Sequence, residues 1–186
     1  NEIIDGQHRF DAIKELGLPL HYVVCKGYGL KEVHVLNANS KQWDANDYMA
    51  AYSQLGYSDY IEYARFKEKY QLPHSICIPM LYGFDSGSVS KIFYSGEFKI
   101  ANLKKSIDKA EKLMMLGKYY SGFKRRSFAM VICSLLDNKN FDFKHFLGKL
   151  AIQPTALKDC ANNEQYRLLI EDIYNYRSRD KVSLRY

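Results

Sequence analysis

Five consecutive residues near the start of the chain, Asp5, Gly6, Gln7, His8 and Arg9, set an acid, a flexible backbone unit, an amide, an imidazole and a guanidinium side by side. They lie in "IIDGQHRFDAIKELGLPL", Ile3 to Leu20, where Gly6 reads as a tight turn and Gln7 to Leu16 as a helix closed by Gly17. The first turn of a helix carries backbone N–H groups without intrahelical partners and the positive end of the peptide dipole. A glycine just before it lets the backbone come close to a bound anion. Arg9 in that turn would grip a phosphate through paired hydrogen bonds, and Asp5 would bind a metal ion or orient water. The plainer reading makes Asp5 the helix cap and Gln7, His8 and Arg9 a solvated first turn, and spacing alone does not choose between the two.

Around this turn, Glu2 to Asp5 reads as the end of a strand and Pro19 to Cys25 ("PLHYVVC") as a second one, so a strand, helix, strand unit would position the five residues. The chain starts at Asn1, without Met, inside what reads as a strand, so a fragment lacking its N-terminal portion is expected.

"DGQHRFDAI" resembles the DGQHR or DGQQR signature of proteins with a ParB/sulfiredoxin-like fold, found in phage ParB-like proteins, DndB-like proteins and the DGQQR subunits of modification-dependent restriction systems. It is also similar to the GERRxxA box of ParB partition proteins, with Gly6, Gln7, His8, Arg9, Phe10, Asp11 and Ala12 in register. In ParB that box cradles the triphosphate of CTP. The resemblance therefore implies a phosphate- or nucleotide-binding role for Gly6, His8 and Arg9, with CTP or ATP and Mg2+ as the implied cofactor. Gln7 stands where the family has a Glu important for hydrolysis, and His8 where it has its first Arg, so the match speaks for binding more than for turnover. Asp5 and Gln7 are the candidate catalytic positions, and Asp5 is also the candidate metal ligand. A second stretch, "VHVLNANSKQWDANDY" from Val33 to Tyr48, is similar to the polar segment that follows the signature in these families. It adds Asn37 as a candidate nucleotide contact, while Asp44 is expected to cap the next helix.

The fold expected is α+β and mostly α. A ParB/sulfiredoxin-like α/β unit would cover 1–40 and a helical DNA-binding region 41–186, the boundary falling near 38–44. In the helical region a tyrosine ladder, Tyr48, Tyr52, Tyr57, Tyr60 and Tyr63, suits a packed face better than a base-stacking platform. Residues 60–83 have the outline of a helix-turn-helix, the second helix started by Pro73, with His74 and Ser75 facing a DNA groove and Pro79 as an awkward kink. A short helix capped by Ser86 or Ser88 and stopped at Gly96 follows. Residues 101–186 then read as a basic helical bundle. Leu103, Ile107, Ala110, Leu113 and Met114 form an apolar stripe, with Lys104, Lys105, Lys109 and Lys112 off that face. Further helices are expected over Phe128 to Leu136 and Phe141 to Leu150, with a last one marked by Tyr166, Leu169, Ile170, Ile173 and Tyr174. Tyr176 to Tyr186 reads as an extended basic tail.

Charge separates the two halves. Residues 1–100 hold 10 basic and 12 acidic side chains, a net −2, and residues 101–186 hold 17 and 9, a net +8. The second half is thus the part suited to a polyanion, and Lys104, Lys105, Lys124, Arg125 and Arg126 are its candidate DNA contacts, against the alternative of a merely solvated face. Cys25, Cys77, Cys133 and Cys160 are too far apart for a zinc finger and suggest no disulfide framework, which fits a reduced bacterial or phage-infected cytoplasm. No apolar run approaches the roughly 20 residues that span a bilayer. The composite expectation is a ParB-like DNA-binding protein of a phage, plasmid or mobile element, with DNA as partner and a homodimer admitted. The alternatives are a ParB-like enzyme, either NTPase or metal-dependent nuclease, and a protein interaction module using exposed tyrosines.

Overall fold

The computed structural model describes residues 3–27, 43–83 and 88–184. The chain divides into two compact units, Asn1–Asp47 and Tyr48–Tyr186.

In the first unit, α1 (Gln7–Leu16) begins at Gly6 with φ +84° and ends at Gly17 with φ +62°, whose N–H reaches back to the carbonyls of Ile13 and Lys14. Both ends need the left-handed backbone that glycine adopts without a Cβ penalty. No residue of α1 is fully buried. The strand expected over Pro19–Cys25 is not formed, and there is no strand among the described residues. A strand exists by pairing its backbone with a neighbour, and apolar, β-branched composition cannot supply the neighbour. Tyr22, Val23 and Val24 are instead exposed. Asp44 does cap the next helix, α2 (Ala45–Gln54). Its Oδ1 accepts from the N–H groups of Asn46 and Asp47, and Asp47 Oδ2 accepts from the N–H of Asp44 in return.

The second unit is helical. Along α3 (Ser58–Tyr70) the apolar positions recur every three or four residues, and Tyr60, Tyr63, Phe66 and Tyr70 are all buried. Gln71, at φ +51°, ends α3; Pro73 then stands at the N-cap position of α4 (His74–Tyr82), which is buried from Ile76 to Leu81. Helix α4 is the hub, packing against α3, α5 (Val89–Tyr94), α6 (Leu103–Leu116) and α7 (Arg126–Leu135). A 3-10 turn, Ser121–Lys124, leads into α7, and α9 (Asn163–Tyr174) packs on α7 and on α8 (Phe143–Ile152). Asn102, Asp142 and Asn162 cap α6, α8 and α9 by accepting from an N–H three residues on.

Aromatic clusters fill this core, two of them large and a third formed by Phe141, Phe146 and Tyr174. Tyr60, Tyr63, Phe93 and Phe98 meet with ring centroids 4.7 to 5.8 Å apart. Tyr120, Phe128 and Tyr166 form the second cluster, where the Tyr120 and Tyr166 hydroxyls lie 2.7 Å apart and the Tyr120 hydroxyl donates to Asp159. Gly96, at φ +82°, closes on the first cluster: a Cβ there would come within 2.7 Å of the Tyr52 ring.

Two sequence expectations change here. The stripe of α6 is rotated, with Ser106, Lys109, Ala110, Leu113 and Leu116 buried, while Met114 is exposed. Lys109 thus belongs to the packed face, because Asp137 is there to receive it. The expected basic tail folds back: Val182 exchanges two 2.8 Å bonds with the Asn175 amide, the Leu184 N–H donates to Glu171, and the Leu184 side chain is fully buried. Arg185 lies outside the described residues.

Candidate functional site

At the opening turn the left-handed Gly6 places the start of α1 directly after Asp5, and the Gly6 carbonyl accepts from the Phe10 N–H at 2.8 Å. Gly6 has no side chain with which to cap the helix. The Arg9 guanidinium folds back over the turn, so that a Cβ added to Gly6 would sit 3.3 Å from its Nη2. Arg9 Nη2 also reaches Asp5 Oδ2 at 3.4 Å, with the two side chains 78% and 48% exposed. A pair this open is worth about 0 to 1 kcal/mol, so Arg9 can turn to an incoming anion at little cost. Asp5 is tied to Arg9 across one turn, a different arrangement from the helix cap weighed on sequence grounds. Gln7 and His8 are exposed on the same turn. Asn37 lies outside the described residues. No group of three or more His, Cys, Asp or Glu side chains able to hold a metal occurs among the described residues.

In the helical unit the predicted DNA contacts divide by what holds them. His74 is partly buried: its Nδ1 lies 2.6 Å from the Tyr63 hydroxyl, with the two rings stacked 5.7 Å apart. Ser75 beside it is exposed. A recognition helix must offer a row of side chains to a groove, and α4 commits its row to the core. Lys105 pairs with Asp137 at 2.9 Å, Arg125 pairs with Asp159 at 2.7 Å, and Lys124 donates to the Gln71 carbonyl at 2.9 Å. Lys104 and Arg126 are exposed. Lys124, Arg125 and Arg126 therefore stay contiguous, and Lys124 and Arg125 also hold the 3-10 turn in place.

A feature missed in the sequence lies nearby. Lys109 is 6% exposed, and its Nζ donates to Asp137 Oδ2 at 2.6 Å, while Lys105 takes the other carboxylate oxygen. Burial alone would raise the Asp137 carboxyl, and the two ammonium groups overcome this and hold it below its ordinary value. The cluster opens into a cleft of about 800 Å3, floored in part by Pro79, Met130 and Val131 and edged by Lys139, Asn140 and Arg167. The helical spacing of Ser106, Lys109, Leu113 and Leu116 was the signal available for placing Lys109 inward. Nothing in sequence order pointed to Asp137 as its partner.

Set against protein-family profiles, curated proteins and solved structures, the chain matches none of them. No helix among the described residues is long and apolar enough to cross a membrane.

Proposed function

We propose that this is a ParB-like DNA-binding protein of a phage, plasmid or mobile element, in which the Asp5–Arg9 turn docks a nucleotide or DNA phosphate and the basic helical unit holds duplex DNA. The observation that carries the reading is the opening turn: a left-handed glycine at a helix start with an exposed arginine folded over it. Backbone N–H groups, helix dipole and guanidinium favour negative charge at the same place. Gly6 and Arg9 shape that site, His8 adds a further donor, and Asp5 would hold Mg2+ accompanying a CTP- or ATP-like ligand. The ParB/sulfiredoxin-like unit belongs to this proposal, and the helix-turn-helix outline of residues 60–83 enters it only as the packed helix pair α3 and α4. Within it α4 serves as a core helix, and DNA contact falls to Ser75, Lys104, Lys105, Lys124, Arg125 and Arg126.

Calorimetric titration of CTP, ATP and GTP, each with magnesium, against wild type and Arg9→Ala tests the turn. Binding that Arg9→Ala weakens about tenfold or more supports it; binding indifferent to Arg9 removes it. A steep fall of duplex affinity with added salt is expected if several phosphates are neutralised. Asp5→Asn separates the enzyme reading, since it should end metal-dependent NTP or DNA cleavage while leaving DNA affinity intact.

A second reading, a protein interaction module, is favoured by one observation: Leu16, Leu18, Leu20, Tyr22, Val23 and Val24 are all exposed within nine residues. In that case duplex DNA binding is absent at every salt concentration.

A further inference from the structure

We infer that the cleft of the helical unit is a second ligand site, and that it takes a small phosphomonoester carrying a flat, hydrogen-bonding ring, of which a nucleoside monophosphate is the simplest example. The cleft lies wholly within residues 48–186 and shares no residue with the Gly6 turn, so the inference goes beyond the function proposed above.

Charge indicates the head group. Lys109 and Lys139 line the cleft, with Asp137 as its carboxylate among the described residues, and Arg167, which donates to the Leu184 carbonyl and to Ser134 Oγ, stands at its edge. Asp137 is shared by two ammonium groups, Lys109 at 2.6 Å and Lys105, which is not part of the lining, at 2.9 Å, so one carboxylate stands beside more positive charge than it can neutralise, with Lys139 adding to it. A phosphate dianion meets this excess, and guanidinium and ammonium groups are its usual partners. Lys109 strengthens the case. Burying an ammonium group is costly, and a buried ion pair is weak evidence for stability because apolar residues of similar volume often serve as well. Its position at the wall of an open cleft gives that cost a use.

The rest of the lining indicates what the phosphate is attached to. Asn138, Asn140 and Asn163 supply amides suited to the edge of a heterocycle. Pro79, Met80, Met130 and Val131 supply an apolar surface for its face. The volume of about 800 Å3 lies in the range of small-molecule sites. The edge is also built in advance. Asp137 and Asn138 donate their N–H groups to the carbonyls of Ser134 and Leu135, Asn138 Oδ1 accepts from the Asn140 N–H at 2.9 Å, and the Phe141 N–H closes on the Asn138 carbonyl. Lys139 is thereby presented from a fixed turn, at low ordering cost on binding.

The test is calorimetry on the full chain with AMP, UMP, inorganic phosphate, ribose 5-phosphate and a 5′-phosphorylated oligonucleotide, using wild type, Lys139→Glu and Arg9→Ala. Lys139 is an exposed turn residue, so its variant should fold, and an unchanged melting temperature would confirm that it does. Expected are saturable binding of AMP or UMP, binding of phosphate and ribose 5-phosphate about tenfold weaker or more, a loss of about tenfold or more in Lys139→Glu, and an AMP or UMP binding phase that persists in Arg9→Ala, where the Gly6 turn no longer contributes. Tighter binding of the oligonucleotide than of the free nucleotides, still lost in Lys139→Glu, would identify the ligand as a strand end. The inference falls if neither nucleotides nor oligonucleotide saturate, if Lys139→Glu binds like wild type, or if inorganic phosphate binds as well as AMP. Nucleotide binding lost in Arg9→Ala and kept in Lys139→Glu would overturn this site and leave the Gly6 turn standing.

Discussion

Every aromatic side chain of α3 is turned into the core of residues 48–186, whereas Tyr22, Val23 and Val24 in residues 1–47 stand 70%, 86% and 63% exposed. The two units also treat charge differently. In the helical unit cations are drawn into fixed contacts, as with Lys109 and Arg125, while at the opening turn Arg9 keeps a long, open contact to Asp5. Fixed groups build a scaffold and a preformed cleft; a lightly held guanidinium at a helix start is placed to exchange one anion for another. Substitutions in the helical unit should therefore cost stability, and those at the turn should cost ligand affinity.

The largest effect should come from Tyr60→Ala. Tyr60 is fully buried among Phe93, Phe98 and Tyr52, and its hydroxyl donates to the Phe93 carbonyl at 2.7 Å. Removing the ring should destabilise the helical unit by about 3 to 5 kcal/mol. Tyr60→Phe, which loses the hydroxyl alone, should cost about 1 to 2 kcal/mol. Urea unfolding followed by circular dichroism measures both, and equal losses would mean that the cluster does not pack as a unit.

Next comes the lysine pair on Asp137. Lys109→Met keeps the buried stem but removes a charge-assisted bond, and should cost about 1.5 to 3 kcal/mol. Lys105→Met, at the exposed end of the same carboxylate, should cost about 1 kcal/mol or less. The pH dependence follows from the lowered carboxyl of Asp137. A carboxyl depressed in the folded state adds stability that is fully present above its unfolded value, here the ordinary 3.8, and that is lost as pH falls through the lower folded value. Thermal melts of wild type and Asp137→Asn should accordingly converge below about pH 3.8 and separate above it. Parallel curves across that range would show that the carboxylate adds nothing to the fold.

Cysteine chemistry sharpens the contrast without a mutation. Burial raises the thiols of Cys77 and Cys133 to about 12, whereas Cys25 is exposed. With a thiol reagent at pH 8, Cys25 should label first and Cys160, whose thiol is also raised by partial burial, more slowly. Cys77 and Cys133 should label only on unfolding, and early labelling of Cys133 would show that the α7 core opens readily.

How far the sequence foretold this arrangement depends on whether a signal was local. Helices α3, α7, α8 and α9 were legible because their apolar residues recur at helical spacing, and the Asp44 cap was legible because its partners lie within three residues. The strand over Pro19–Cys25 was misread because β-branched composition does not provide a pairing partner. Lys109 was misplaced because lysine is normally a surface residue. Its burial depends on Asp137, 28 positions away, and no periodicity reports such a pairing. The basic tail was misread for the same reason, since Asn175 and Glu171 fasten it through bonds that only the folded chain brings together.

The smallest stability effect should fall on the residue expected to matter most for binding. Arg9→Ala removes a 3.4 Å pair with both partners open to solvent, so the melting temperature should shift by no more than the equivalent of about 0.5 kcal/mol. Gly6→Ala differs, because its backbone at φ +84° is strained for any residue with a Cβ, and the added methyl would press on the guanidinium at 3.3 Å. It should cost about 1 to 2 kcal/mol and also displace Arg9. If the turn is an anion site, both variants weaken nucleotide or DNA binding, and they do so at very different costs in stability. If it is only a helix start, Gly6→Ala lowers the melting temperature and neither variant moves an affinity. The two measurements together separate a binding turn from a structural one, since only a binding turn lets Arg9→Ala lower an affinity while stability stays almost unchanged.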